Sequence, residues 1–324
     1  MIYEKLTKLK EQLDTFRPLS AALARNLDEW FKVELTFTSN AIEGNTLTRR
    51  ETALVIEKGL TVGGKSLREH LEATNHAKAL DFVHSLVAKK PSQLSAKDVL
   101  AIHDVILKGI DDDHAGYYRS VPVRISGSRV VLPNPRKVPD LMDEFQAWLK
   151  SKHGLHPVAF AGEAHYRLVT IHPFVDGNGR TARLLMNLIL MMHGYPPAII
   201  RKRDRLAYIG ALANAQTGGS KADYEKLVAK AAERSLDLYL RAVQGETASD
   251  DFDSDDLLKI GELATAVGVT VPTIRHWTKE GLLEVAELTE SGYQLYAPEM
   301  KTRCEEIKAL KEQRLTLEEI KSRF

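Results

Sequence analysis

The run His172-Pro173-Phe174-Val175-Asp176-Gly177-Asn178-Gly179-Arg180-Thr181-Ala182-Arg183 places one imidazole, one carboxylate, two arginines and two glycines within twelve residues. Its chemistry can be read directly. Gly177 and Gly179 allow a tight turn and a close approach of backbone to a ligand. The apolar periodicity that follows, strongest over Leu184–Met192, says that a helix begins here. The first N–H groups of a helix form an anion site, which suits a phosphate. Arg180 and Arg183, three apart, can face the same anion. Asp176 offers the hard oxygen that Mg²⁺ prefers when it bridges substrate phosphates. His172, with an ordinary pKa of about 6.5, is placed to act as a base at neutral pH. Gly177, Gly179 and Ala182 also fit the spacing of a dinucleotide fingerprint. No parallel-strand pattern surrounds them, however, and no Asp or Glu occurs from Leu184 to Arg203, where the ribose-binding acid belongs.

Outward from this run the chain reads as mainly α. Apolar residues recur at three- and four-residue spacing over Tyr3–Leu13, Ala73–Val87, Asp140–Lys150 and Val158–Ile171. Thr48 with Glu51, and Ser66 with Glu69, have the spacing of capping boxes. A second phosphate pattern, Gly59-Leu60-Thr61-Val62-Gly63-Gly64-Lys65-Ser66, matches G-x-x-x-x-G-K-[ST]. That pattern requires a buried strand before it. Arg49–Lys58 is spaced and capped like a helix, so a glycine turn into a helix capped by Ser66 is expected instead. Val121, Val123 and Ile125 alternate with Pro122 and Arg124, Ser126-Gly127-Ser128 breaks the run, and Val130-Val131-Leu132 resumes it, which predicts a β-hairpin with a proline-edged return strand.

Composition sets limits on the rest. The 324 residues suffice for about two domains. Forty-five Lys+Arg against 44 Asp+Glu exclude a surface tuned as a whole to nucleic acid or acidic membrane. One cysteine, Cys304, excludes an intramolecular disulfide framework and a cysteine-rich zinc site. No apolar run approaches the roughly 20 residues of a membrane span, and Met1–Lys10 lacks a signal-peptide core, so a soluble cytoplasmic protein is expected.

The twelve-residue run resembles the signature of the Fic family, H-P-F-x-[DE]-G-N-G-R-x-x-R, at every defined position. His156-Pro157, His165, the Val121–Leu132 segment and Val138–Phe145 extend the likeness over residues 1 to 245. The resemblance implies a helical core with a β-hairpin flap, binding ATP and Mg²⁺ and transferring AMP to a Tyr, Ser or Thr hydroxyl of a target protein, with self-modification and a homodimer among its outcomes. It implies His172 as the general base, Asp176 as the Mg²⁺ ligand, and Gly177, Asn178, Gly179 and Arg180 around the phosphates. Arg183 would take the γ-phosphate, and Phe174 would be a core anchor. Val121, Val123 and Ile125 of the flap would receive an extended piece of the target as an added strand. Ser39-Asn40-Ala41-Ile42-Glu43-Gly44-Asn45 resembles the family's inhibitory motif, [ST]-x-x-x-E-[GN]. Ser39 and Glu43, four apart on a helix, face the same way, and the resemblance pairs Glu43 with Arg183 against the γ-phosphate. Transfer of UMP or phosphate, and removal of AMP with Glu43 orienting a water, are other activities this reading leaves open.

Beyond Gly245 the polar stretch GETASDDFDSDD reads as an acidic linker over residues 246–256. It separates an N-terminal helical region (1–94) and a catalytic core (95–245) from a small unit over 257–324. There, Ile260–Trp277 reads as helix, glycine-containing turn, helix, and Gly281–Tyr296 resembles the wing of the MerR-type winged helix-turn-helix family. That likeness implies DNA, with the helix from Thr270 entering the major groove and Thr273, Arg275, His276 and Lys279 as candidate contacts. The unit carries ten Lys+Arg against eleven Asp+Glu, and Gln294 stands where such wings commonly place arginine. Helix-turn-helix geometry serves DNA and protein docking alike, so a protein partner stays open, as does a DNA-binding regulator whose core senses a nucleotide.

Overall fold

Among the described residues, ten α-helices carry the first part of the chain: α1 (Ile2–Asp14), α2 (Ala21–Ile42), α3 (Arg49–Lys58), α4 (Leu67–Leu86), α5 (Ala96–Leu107), α6 (Val138–Lys150), α7 (Pro157–Ile171), α8 (Asn178–Met192), α9 (Arg205–Gln216) and α10 (Ala222–Val243). This computed structural model describes residues 2–125, 127–152, 154–245, 257–285, 287–288, 293–297, 299–312 and 315–321. The acidic linker expected over 246–256 lies outside the described residues. Contacts divide the chain into two compact units, Met1–Thr247 and Ala248–Phe324.

In the first unit α7 and α8 pack on one another. Around them, α8 meets α2, α4 and α5, and α7 meets α6 and α10. Helix α8 is buried on every side through Leu190 apart from Gly179's immediate surroundings at its start, so each of its polar residues needs an internal partner. Asn187, for example, accepts the Ala198 N–H at 2.9 Å. The expected capping boxes are present at the starts of α3 and α4. They account for the phosphate-loop mimic: Gly59 ends α3 in the left-handed conformation and Ser66 caps α4, with a helix where a nucleotide loop needs a strand.

The chain reverses at Ile125–Ser128, where the hairpin was expected, with the Ser128 N–H donating to the Ile125 carbonyl at 3.1 Å. The two arms form no strand ladder among the described residues. Pro122 and Pro133 each lack the N–H that a ladder would use. Ser126 of the turn lies outside the described residues.

The second unit contains α11 (Ile260–Ala266) and α12 (Val271–Lys279), joined by a turn through Gly268 with φ 66°. A three-stranded sheet of order β1-β3-β2 pairs β1 (Leu258–Lys259) and β2 (Glu287–Leu288) antiparallel with β3 (Gln294–Tyr296), and α13 (Glu299–Glu312) and α14 (Leu317–Lys321) follow. Leu263, Ile274, Trp277, Leu283, Tyr296, Cys304, Ile307 and Ile320 make its core. The wing expected from Gly281–Tyr296 is the β2–β3 pair; Ser291 and Gly292 lie outside the described residues. Among the described residues no helix is long and apolar enough to cross a membrane.

Candidate active site

The loop between α7 and α8 begins with backbone strain. His172 ends α7 in the left-handed region (φ 51°, ψ 61°), and it is the one non-glycine residue with positive φ among those described. A side chain there costs about 1–2 kcal/mol, which the surroundings must offset. Arg119 does so. Its buried guanidinium donates to the His172 carbonyl at 2.7 Å, to Pro133 O at 2.7 Å and to Val121 O at 3.3 Å, while its N–H bonds Pro173 O at 2.8 Å. One side chain thus ties the strained residue to both arms of the flap segment.

The His172 ring places Nδ1 3.4 Å from the Val169 carbonyl. A carbonyl only accepts, so Nδ1 carries the proton and the Nε2 lone pair is left to take another. Burial first, and the nearby Arg119 charge after it, push this imidazole below its ordinary pKa, so it is neutral at pH 7.

Asn178 locks the loop: its amide accepts the Phe174 N–H and donates to the Phe174 carbonyl, both at 2.9 Å. Phe174 is fully buried and stacks on His103 with ring centroids 3.6 Å apart. His103 accepts the Gly116 N–H on Nδ1 at 3.0 Å, so Nε2–H donates to the Asp176 carbonyl at 3.0 Å. Burial above all holds His103 down at about 4 and keeps it in this neutral form. Gly177 caps α8 in the left-handed conformation (φ 74°), and a Cβ there would press on His103 and Ile106. With no side chain to cap the helix, the first N–H groups of α8 have no intrahelical acceptor.

The Asp176 carboxylate, 45% exposed, accepts from Gly177 N at 2.6 Å and from Arg68 at 2.7 Å, with Arg180 at 3.5 Å. Burial would raise its pKa, but Arg180, the Gly177 N–H and Arg68 outweigh it and hold the group below the usual carboxylate range. Arg180 is only 2% exposed and lies between Asp176 and Glu72, the latter at 3.4 Å.

Arg183 is equally enclosed. Its guanidinium donates to Ser39 Oγ (3.0 Å), Ser39 O (2.9 Å) and Glu43 Oε1 (2.7 Å). Ser39 and Glu43, one turn apart at the end of α2, therefore face the same cation, as their spacing predicts. The Glu43 carboxylate is 39% exposed and lies over Gly179, where a Cβ would overlap Oε1. Arg205 donates to the Ile42 carbonyl at 2.7 Å, so arginines satisfy the Ser39 and Ile42 carbonyls of α2, while those of Asn40 and Ala41 accept from N–H groups of the following turn. The following turn is strapped to α4 through Asn45, which donates to Glu69 O at 3.1 Å and Glu72 Oε2 at 2.9 Å.

The structure thus brings together His172, Asp176, Gly177, Asn178, Gly179, Arg180, Arg183, Ser39 and Glu43. Arg68, Glu72, His103 and Arg119 join them without having stood out in the sequence, because each acts from 50 or more residues away with no local motif. Val121 is exposed, and Val123 and Ile125 are half-buried on the flap segment. In the second unit Thr270 caps α12 and meets Thr273 Oγ1 at 2.8 Å. Arg275, His276 and Lys279 are exposed on that helix, with Glu280 3.8 Å from His276.

Comparison with known proteins agrees with this architecture. Residues 93–190 match the Fic/DOC family, and residues 258–324 match the MerR HTH family regulatory proteins. The chain is 38% identical over 242 residues to a protein adenylyltransferase Fic of Culex quinquefasciatus, covering 74% of this chain and 48% of that one. The corresponding protein of Nematostella vectensis is 40% identical, with 73% and 56% covered. The chain spans about half the length of the curated relatives it matches. Fic-1 (aa134–508) from C. elegans superposes with a TM-score of 0.66 at 34% identity, covering 74% of this chain and 71% of that one. A Fic domain containing signaling protein from Bacteroides thetaiotaomicron gives 0.68 at 28% identity, with 75% and 99% covered. The strained histidine, the glycine loop on a buried helix and the paired arginines are thus set in a fold shared with these relatives, and the chain belongs to the Fic/DOC family.

Proposed function

We propose that this chain is a protein adenylyltransferase that moves AMP from ATP to a Tyr, Ser or Thr hydroxyl of a target protein, and that Glu43 restrains it. The observation that carries the reading is the Glu43–Arg183 contact over Gly179: an internal carboxylate sits on the cation, at a helix start whose N–H groups suit an anion. The target hydroxyl attacks the α-phosphorus, its proton passes to His172 Nε2, and the bond from the α-phosphorus to the bridging oxygen breaks to release pyrophosphate. Such a reaction needs mainly positioning and charge stabilisation. The first N–H groups of α8, on the Gly177–Gly179 backbone that Asn178 holds in shape, receive the phosphates. Arg180 adds positive charge beneath the loop, and Arg183 takes the γ-phosphate once Glu43 leaves.

Mg²⁺ fits the donor chemistry at Asp176. This half-exposed carboxylate offers a hard oxygen to an ion that draws most of its ligands from phosphates and water. When bound, the ion would neutralise developing phosphate charge. The exposed arm at Val121, with Val123 and Ile125, suits an extended target segment because its backbone is not already paired in a ladder.

The test is transfer from labelled nucleotides by the Glu43→Gly protein. Label should enter protein from α-labelled ATP and not from γ-labelled ATP. Entry of γ-label would make it a phosphotransferase, and preferential competition by UTP a uridylyltransferase. No incorporation from any nucleotide overturns the reading.

For the second unit, the MerR match and the exposed Arg275, His276 and Lys279 on α12 favour DNA as the partner. A gel shift with genomic fragments, weakened by Arg275→Ala, would support this. No shift at low salt would favour a protein partner.

A further inference from the structure

Beneath Arg183 lies a chain of buried polar side chains drawn from three helices. Tyr208 on α9, His165 on α7 and Tyr224 on α10 are almost wholly inaccessible. Tyr208 Oη is 2.8 Å from His165 Nε2, Tyr224 Oη is 2.8 Å from His165 Nδ1, and Tyr224 donates to the Gly162 carbonyl at 2.8 Å. At its upper end Tyr208 lies near enough to Arg183 to interact with its charge, while the hydrogen bonds of the guanidinium itself go to Ser39 and Glu43.

The proton positions follow from one end. Gly162 O can only accept, so the Tyr224 hydroxyl proton points there. Its oxygen must then accept from His165 Nδ1–H, which leaves Nε2 as an acceptor for the Tyr208 hydroxyl proton. Tyr208 therefore turns a lone pair, and not a proton, toward Arg183, whose five N–H groups offer nothing else to bond. Burial first, and the Arg183 charge after it, hold His165 down at about 3, so this tautomer persists across the physiological range.

We infer that Tyr208, His165 and Tyr224 are positioning residues that fix the Arg183 guanidinium in the orientation in which it meets Glu43 or a triphosphate. Of the groups around Arg183, the Glu43 carboxylate is the half-exposed one and can leave. Ser39 and Tyr208 are both buried on the enclosed side of the cation. A guanidinium recognises phosphate oxygens through a rigid fork, so a lost anchor on its inner side should weaken the outer contact that depends on its angle. This inference rests on the reading of Arg183 as the γ-phosphate ligand.

The readout is the ratio of affinities for α,β-methylene-ATP, which cannot give up AMP, and for AMP, which has no γ-phosphate. Both are measured by calorimetry with Mg²⁺ on the full chain carrying Glu43→Gly. Arg183→Ala should reduce the preference for the triphosphate by about tenfold or more, and Tyr208→Phe by about three- to tenfold, with AMP affinity little changed. A general loosening of the fold would lower both affinities together. Tyr224→Phe, which removes the proton that sets the chain, should shift the ratio in the same direction, and it decides the matter if Tyr208→Phe does not fold. If Arg183→Ala lowers the ratio while the tyrosine variants bind both nucleotides as their parent does, the positioning role is refuted. If Arg183→Ala itself leaves the ratio unchanged, the γ-phosphate reading fails.

Discussion

On the proposed reading, Glu43→Gly should raise transfer, and the contact it removes gives the size of the gain. Arg183 can serve Glu43 or a γ-phosphate, but not both well. The contact to be removed is a single charge-assisted hydrogen bond of 2.7 Å to a buried guanidinium, made by a carboxylate that is 39% exposed. Hydrogen bonds to charged groups contribute about 1.5–3 kcal/mol, and the exposure of Glu43 argues for the lower part of that range. Being part of the same chain, Glu43 competes at a high effective concentration whatever the ATP level. Its removal also clears the space over Gly179, where its carboxylate crowds the start of α8. A difference of about 1.5 to 2 kcal/mol between competing poses corresponds to roughly ten- to thirtyfold more transfer. Loss of the contact to Arg183 leaves a buried guanidinium with one partner fewer, so a lower melting temperature should accompany the gain. Incorporation of α-labelled AMP, followed beside thermal unfolding, measures both. Adding Arg183→Ala should erase the gain, because the group that Glu43 restrains is then missing. If Glu43→Gly leaves incorporation unchanged while His172→Ala still abolishes it, the restraint is refuted and the transferase assignment survives.

Three further outcomes are expected. His172→Ala should lower transfer by about 10²- to 10⁴-fold with ATP binding nearly intact, since the phosphates are held elsewhere, and an equal loss of ATP affinity by calorimetry would count against a proton-accepting role. His76, His103 and His165, at about 3, 4 and 3, are neutral when folded and protonate near 6.5 when unfolded, so the unfolded chain binds more protons below that pH. The stability they contribute is therefore complete above about pH 6.5 and lost progressively as pH falls from there, and urea unfolding between pH 7 and pH 4.5 should show that decline. A chain cut after Gly245 should stay folded and keep its self-modification, because the first unit has its own core, whereas aggregation of the shortened protein would mean that the units share one.

The parts of the site legible in the sequence are those whose chemistry is confined to neighbouring residues. The loop signature, the α3 and α4 capping boxes and the i,i+4 pair Ser39 and Glu43 all rest on local spacing, and local spacing survives folding unchanged. The flap was legible only as a reversal. Its alternating valines suggest a ladder, but the prolines at 122 and 133 remove donors, and the Arg119 side chain gathers the two arms instead. Strand β1 is two residues long, too short for alternation to register. Arg119, His103, Glu72 and Tyr208 were beyond reach for a different reason. Each is an ordinary residue on an ordinary helix or loop until the fold sets it against a carbonyl, a carboxylate or a guanidinium far along the chain.

Gly179 shows how the two kinds of information join. From the sequence, both glycines of the signature read alike, as positions where the backbone turns or comes close to a ligand. The structure separates them. Gly177 has the positive φ that only glycine adopts without strain, while Gly179 lies within α8 with no such need. What requires a glycine at 179 is proximity: the Glu43 carboxylate occupies the place a Cβ would take, directly above the helix start and against Arg183. The same absence of a side chain that would let phosphate oxygens approach the first N–H groups of α8 lets a carboxylate of the chain's own approach them first. On the proposed reading, restraint and substrate binding draw on one glycine and one arginine, so a substitution at either position should alter both. On the same reading, Glu43→Gly should release the restraint without dismantling the site, because the glycine loop and both arginines are the residues that remain.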